Sequence, residues 1–174
     1  MNASAAIDVA RFQDALRRVR LLVLDVDGVL TDGRLFYGPK GESLKAFHVR
    51  DGFGIKAITK AGVSVAILSG RKSAAVSSRA RELGIRSVLQ GATDKLTALR
   101  KLAKARGLSL DDCACVGDDT PDAAILAAAG VGIAVADAHP DALAAAKLVT
   151  TRPGGHGAVR EVCDWLIAAR RISA

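Results

Sequence analysis

Leu21-Leu22-Val23-Leu24-Asp25-Val26-Asp27-Gly28 is the stretch on which the fold turns. Four apolar residues without polar alternation describe a strand covered on both faces, the situation of a parallel strand between layers of helices. The run ends in two aspartates and a glycine. Asp27-Gly28 has an ordinary reading as a turn. Asp25 does not, because a carboxylate at the end of a buried strand is costly unless something compensates it. The C-terminal edge of an open α/β sheet is also where ligands bind.

Working outward, short apolar runs alternate with amphipathic segments of helical length. Strands are expected at 21–26, 64–68, 87–89, 112–116 and 131–135. Helices are expected near 52–61, 72–83, 95–106, 121–129 and 141–146, with a last one near 158–170 and a first near 9–18. The rhythm predicts an α/β fold: a Rossmann-like parallel sheet with helices on both faces. Gly38-Pro39-Lys40-Gly41, flanked by alternating apolar residues, predicts a projecting β-hairpin at about 32–48. Residues 1–20 read as an N-terminal helical segment, and 21–174 as one domain ending in a tail from about 152.

The chain has 174 residues, half of them hydrophobic, enough for one domain with a substantial core. Its longest apolar stretch, 123–136, is too short to cross a bilayer and contains Gly130 and Gly132. Asp8, Arg11 and Asp14 near the start do not match a secretory leader. A soluble cytoplasmic protein without a membrane partner is expected. The net charge of +7 rests partly on helix-surface cations such as Arg100, Lys101, Lys104 and Arg106, and with one Trp, one Tyr and four Phe there is no stacking platform for nucleic acid. Cys113 and Cys115 point to one side of a strand as small core residues, and with Cys163 they form no disulfide framework.

A second acidic cluster, Gly117-Asp118-Asp119-Thr120-Pro121-Asp122, follows the strand expected to end at Val116. Thr120 suits a helix N-cap, Pro121 the first turn and Asp122 the helix dipole. Asp118 is left over at the same sheet edge as Asp25. Carboxylates meeting there without a histidine cluster suit a hard cation such as Mg²⁺. Arg71 and Lys72 are expected to open one helix and Lys95 another. Cations are disfavoured at helix N-termini, and a bound phosphate would reverse that penalty, as would fit the neighbouring Ser69-Gly70.

Asp25-Val-Asp27-Gly-Val-Leu-Thr31, Ser69-Gly70-Arg71, Lys95 and Gly117-Asp118-Asp119, in that order, resemble the four motifs of the haloacid dehalogenase superfamily, and the hairpin in place of a cap resembles its capless subclass. Lys45-Ala-Phe-His-Val-Arg50-Asp51-Gly52, Val135-Ala136-Asp137-Ala138-His139-Pro140 and the tail Gly154-Gly155-His156-Gly157 extend the likeness to the family of 3-deoxy-D-manno-octulosonate 8-phosphate phosphatases, from about 21 to 169. The resemblance implies that Asp25 is the nucleophile, passing through an aspartyl phosphate, and that Asp27 is the acid and base. It implies Mg²⁺, or Mn²⁺ or Co²⁺ in its place, held by Asp25, the main-chain carbonyl of Asp27 and Asp118, with Asp119 acting through water. Ser69 and Lys95 would hold the phosphoryl oxygens. The sugar acid would meet Asp27, His48, Val49, Arg50, Asp51, Gly52, Lys56, Gly70, Arg71, Arg79 and Lys95.

The family often has Asn at the position of His48 and Arg at that of Lys56, and Lys cannot offer a bidentate fork. His48 reads equally as a sugar contact or a solvated hairpin residue; His139 reads as structural, and His156 carries no expected role. The family also implies a homotetramer built through the hairpins, a role in lipopolysaccharide precursor synthesis, and a tail that folds over an active site, a neighbour's. Another nonulosonate phosphate, such as a sialic-acid-type 9-phosphate, stays open as substrate. A receiver-like phosphoacceptor domain is the alternative from another class, although its acidic pair and phosphorylated Asp come in a different order.

Overall fold

In the computed structural model, which describes residues 9–39 and 41–171, strand β1 (Leu21–Leu24) is wholly buried near the middle of a six-stranded parallel sheet. The first eight residues of the expected N-terminal segment, Lys40 in the hairpin turn and the last three residues lie outside the described part. Short helical turns at Val9–Phe12 and α1 (Gln13–Arg18) precede β1. The hairpin follows as β2 (Phe36–Gly38) and β3 (Gly41–Leu44), then α2 (Val49–Lys60), β4 (Ser64–Ser69), α3 (Ala74–Leu83), β5 (Ser87–Gln90) and α4 (Lys95–Lys104). The chain closes with β6 (Cys113–Gly117), α5 (Thr120–Ala128), β7 (Val131–Ala134), α6 (Pro140–Ala145), β8 (Leu148–Val149) and α7 (Ala158–Arg171).

The strand order is β5-β4-β1-β6-β7-β8. From β1 the chain first builds outward through β4 and β5, then returns to β6 on the other side, so the order reverses beside β1. Such a reversal opens a crevice at the C-terminal strand edge. The register aligns the strand ends there: Leu24 pairs with Ile67 of β4 and Val116 of β6, and the Asp25 amide extends the ladder to the Val116 carbonyl at 3.0 Å. Asp25, Ser69 and Asp118 therefore emerge from three adjacent strands.

Helix α7 carries buried Val159, Val162, Cys163, Leu166 and Ala169 at the three- and four-residue spacing of one helical face. That face lies on α2, and α7 also packs against α1, whose Leu16 is buried in the same core. Close packing on α2 uses Gly54, where a Cβ would sit 3.0 Å from Arg160 Cδ and 3.2 Å from Cys163 Cβ.

Several boundaries differ from expectation for local reasons. Helix α2 begins at Val49 rather than Gly52, because the His48 ring caps it, Nδ1 accepting from the Arg50 amide at 3.2 Å. Helix α3 begins at Ala74, behind an extended Ser73, so Arg71 and Lys72 belong to the preceding loop and not to the helix's first turn. Asp119 rather than Thr120 caps α5. The two-residue β8 was not expected; so short a run carries no periodicity of its own. Among the described residues, no helix is long and apolar enough to cross a membrane.

The tail thus belongs largely to the core. Removing everything from Gly154 onward should abolish cooperative unfolding, read by circular dichroism against denaturant, because it strips a whole face of helix from α2. A truncated chain with an unchanged unfolding midpoint would show that α7 is dispensable to the fold.

Candidate active site

The C-terminal strand edge holds a cavity of about 200 Å³ lined by Asp25, Asp27, Ser69, Gly70, Arg71, Lys95, Asp118, Asp119, Pro121 and Asp122. At its floor, Lys95 Nζ donates to Asp25 Oδ1 at 2.8 Å and to Asp122 Oδ1 at 2.6 Å, and all three side chains are buried. Asp94 makes this placement possible. Its Oδ1 caps α4 by accepting from the Thr97 amide at 2.9 Å, so the helix starts at Lys95 with the side chain directed inward.

Asp122 is the site residue that sequence reasoning passed over, having an ordinary explanation as a first-turn acid. Its Oδ2 accepts from the Asp118 amide at 3.2 Å while Oδ1 holds Lys95, so it ties the start of α4 to the loop after β6. Gly117 leaves the room: a Cβ there would lie 2.6 Å from Asp122 Cγ. The available signal was a third acid, Asp122, at the start of the helix that directly follows Asp118-Asp119.

Burial pushes the Asp25 carboxyl up to about 6, with the nearby Asp122 charge adding to the effect and Lys95 opposing it. Asp118 is pushed up to about 7 by burial and then by the Asp25, Asp122 and Asp119 charges. Burial acts against the charge on Lys95, but Asp25 and Asp122 outweigh it, and its pKa is raised. Lys95 is shared between Asp25 and Asp122, and among the described residues Asp118 makes no ion pair, so negative charge is left over.

Carboxylate oxygens of Asp25, Asp118 and Asp122 lie within 4.8 Å of one another. Both Asp122 oxygens are already engaged, which leaves Asp25 and Asp118 facing the cavity as hard oxygen donors, with no His or Cys among its lining residues. That donor set fits Mg²⁺. Gly28, at φ +88°, clears the approach, since a Cβ on it would lie 2.5 Å from Asp118 Cγ. Asp119 stands at the rim, its Oδ1 accepting from the Thr120 amide at 2.7 Å.

Asp27 turns its carboxylate toward the hairpin. Lys45, whose side chain is 1% exposed, pairs with Asp27 Oδ1 and with Glu42 at 3.2 Å. Arg71 approaches Asp27 Oδ2 at 3.6 Å and Glu42 at 3.1 Å. The network ties β3 to the acid; Lys45 and Glu42 were not foreseen as site residues, because the pairing spans a hairpin whose docking no local pattern encodes. Ser69 ends β4 with its Oγ accepting from the Arg71 amide at 3.3 Å.

His48, Val49, Arg50, Asp51, Gly52, Lys56 and Arg79 do not line this cavity. Asp51 is 1% exposed and spends Oδ1 on the Arg160 amide of α7 at 2.8 Å, so it fastens two helices rather than meeting solvent. Arg79 pairs with Glu82 at 2.9 Å and lies over the Phe47 ring, and it fills the space beside Gly52. Arg50 borders a different depression with Arg152 and Arg160, and Lys56 is exposed. His139 caps α6, accepting from the Asp141 amide at 3.3 Å, and His156 Nδ1 meets the Gly154 carbonyl at 2.7 Å.

Comparison with known proteins accords with this geometry. Residues 84–161 match the haloacid dehalogenase-like hydrolase family model. The chain is 45% identical over 152 residues to the 3-deoxy-D-manno-octulosonate 8-phosphate phosphatase KdsC of Yersinia pestis and 47% identical to that of Escherichia coli K12, covering 87% of this chain and 81% of each relative. Among solved structures, the phosphatase of that name from Moraxella catarrhalis, in complex with magnesium, phosphate and KDO, superposes with a TM-score of 0.90 at 43% identity, covering 92% of both chains. The cobalt-bound phosphatase from Haemophilus influenzae gives 0.88 at 42% identity, over 90% of this chain and 92% of that one. With strand-end carboxylates, a buried lysine and relatives alike over nearly the whole domain, the chain belongs to the 3-deoxy-D-manno-octulosonate 8-phosphate phosphatase family of haloacid dehalogenase-like hydrolases.

Proposed function

We propose that this protein hydrolyses 3-deoxy-D-manno-octulosonate 8-phosphate to the free sugar acid and phosphate in a Mg²⁺-dependent reaction through an aspartyl phosphate on Asp25, serving lipopolysaccharide precursor synthesis. The observation that carries the reading is the Asp25–Lys95–Asp122 chain beside Asp118, at the strand edge of a fold shared with phosphatases of that name.

The roles follow from where the groups lie. Lys95 restrains one Asp25 oxygen, which fixes the carboxylate for in-line attack on phosphorus. Lys95 and Ser69 line the cavity where the phosphoryl oxygens would rest, and they meet charge that shifts during transfer. Asp27, steered by Lys45 and Arg71, gives a proton to the leaving sugar oxygen and later takes one from the water that cleaves the aspartyl phosphate. Mg²⁺ would be held by Asp25, the Asp27 main-chain carbonyl and Asp118, with Asp119 supporting through water; Mn²⁺ or Co²⁺ would substitute. When bound, the ion neutralises charge between the carboxylates and the phosphoryl group.

The sugar acid passes Gly70 and Arg71, which line this small cavity, and extends beyond it. Residues 48–52, Lys56 and Arg79 stand apart from the cavity in one chain, and we assign them to the sugar through assembly of four copies in the cytoplasm. The exposed Tyr37 and Leu44 on the hairpin, and Val49 at 77% and Phe53 at 64% exposure on α2, support such an assembly. A sialic-acid-type 9-phosphate differs away from the phosphoryl group, so a panel of sugar phosphates assayed with Mg²⁺ separates the two substrates; kcat/KM favouring the octulosonate phosphate is expected, and preference for a nonulosonate 9-phosphate would reassign the substrate.

Asp25→Asn should retain the far-UV circular dichroism of the parent and lower kcat by more than about a thousandfold, since the amide keeps the shape but not the nucleophilic charge. Normal turnover by the folded variant would remove Asp25 from the mechanism. The pKa shifts give a second prediction. Asp25 and Asp118 keep their protons to higher pH in the folded chain, at about 6 and 7, than at their ordinary 3.8. Across that window the folded state binds more protons than the unfolded one, so metal-free stability falls as pH rises. Mg²⁺ should reverse this by replacing the protons. Thermal midpoints measured with chelator should decline from about pH 5 to about pH 8, and Mg²⁺ should raise the midpoint more at the upper end. An equal Mg²⁺ effect at both ends, or full activity after exhaustive chelation, would contradict the site.

A further inference from the structure

The segments 135–139 and 150–157 contribute no side chain to the chemistry above, yet both are bonded to the loops that do. Gly154 presses on the catalytic loop from behind: a Cβ there would overlap the Gly28 carbonyl, with 2.5 Å to its carbon and 3.2 Å to Val29 N. The Gly155 amide donates to the Val29 carbonyl at 2.9 Å, and a Cβ on Gly155 would lie 2.9 Å from Thr31 O. Asp118 closes in on Gly28 as well, leaving no room for a Cβ. Gly28 is therefore confined by the Asp118 carboxylate and by the backbone of the tail.

The tail is held in place by the loop after β7. The Gly154 amide donates to Asp137 Oδ1 at 2.9 Å. The Ala136 amide donates to Thr150 Oγ1 at 3.1 Å and to the Arg152 carbonyl at 3.3 Å, and the Thr150 hydroxyl donates to the Arg152 carbonyl at 2.6 Å. The same loop reaches the acidic cluster directly: the His139 amide donates to the Asp118 carbonyl at 2.7 Å, and the Val135 amide to the Gly117 carbonyl at 3.3 Å. The bonds close a circuit from Gly28 through the tail and the 135–139 loop to Asp118.

A flexible linker would explain the glycines only if they were there for conformational freedom. Gly155 and Gly157 have positive φ, but Gly154 does not, so its lack of a side chain answers to space alone. We propose that Gly154, Gly155 and Asp137 are positioning residues: they brace the Gly28–Val29 peptide, one link beyond the Asp27 carbonyl, against Asp118 and so set the spacing of the oxygen donors. The proposal rests on the reading of Asp25 and Asp118 as the Mg²⁺ site. A Cβ at Gly154 would drive Gly28 from its place beside Asp118, and displacements of about 1 Å at such a site cost on the order of a hundredfold in rate.

The test measures Mg²⁺ binding by calorimetry on the substrate-free, full-length protein, beside kcat and the thermal midpoint. Gly154→Ala should bind Mg²⁺ about ten- to a hundredfold more weakly and lose kcat in step, the size of effect seen when a ligand's support is removed. Gly130→Ala is the control for mere destabilisation. Its Cβ would lie 2.7 Å from Asp111 C at the opposite sheet edge, so its midpoint should drop while its Mg²⁺ affinity stays that of the parent. Should Gly154→Ala fail to fold, Asp137→Ala decides: it should weaken Mg²⁺ binding, and Asp137→Asn, which keeps the acceptor oxygen, should restore it. Parental Mg²⁺ affinity in folded Gly154→Ala or in Asp137→Ala overturns the brace. A parent protein that binds no Mg²⁺ overturns instead the reading on which the brace rests.

Discussion

One ammonium group, on the first residue of α4, lies between two buried carboxylates, Asp25 just after β1 and Asp122 in the first turn of α5. A charge taken out of water is tolerated only with partners this close, and removing one partner of such a set typically costs about 3–5 kcal/mol. Lys95 fixes Asp25, Asp122 fixes Lys95, and Asp122 also receives the Asp118 amide. The Asp25 carboxylate and the second acidic loop are thereby held in one frame. The sheet supplies the rest, because three adjacent parallel strands end within two residues of one another in register. Burial raises the Asp25 and Asp118 pKa values first and the neighbouring carboxylate charges add to it, and that surplus of negative charge suits a divalent cation.

Much of this was legible in the amino-acid order. Leu21 to Leu24 announced a doubly buried strand, and the carboxylates at its end and at Gly117-Asp118 had no structural purpose to account for them. Lys95, following a capping aspartate, stood where a cation is out of place unless an anion meets it. What could not be read was whatever depended on contact across the chain. Asp122 had a sufficient local explanation as a first-turn acid, and nothing near it in sequence pointed to Lys95, 27 residues earlier. Lys45 and Glu42 reach Asp27 only because the hairpin folds back. The amphipathic pattern puts Arg71 and Lys72 at the start of a helix, whereas the extended Ser73 starts it later.

The loop 48–52 and the tail mark a different boundary. The resemblance associates His48 to Gly52 with the sugar, yet in one chain Asp51 is fastened to α7 and Gly52 lies against Arg79. The proposed assembly, with a sugar site built from more than one copy, would reconcile the two, and the apolar residues exposed on the hairpin and at the start of α2 would give such copies a surface to share. Glycines in the tail serve for close approach, but to the loop after β1 of the same chain, a contact that the sequence does not specify.

The account stands on Asp25 forming a covalent bond to phosphorus. The direct measurement is rapid acid quench of the enzyme during turnover of 3-deoxy-D-manno-octulosonate 8-phosphate with Mg²⁺, followed by mass spectrometry of the digested chain. The account predicts a base-labile phosphate on the peptide containing Asp25, formed and lost at rates that match turnover. Phosphate on any other residue, or turnover at full rate with no phosphorylated peptide at any quench time, would contradict it.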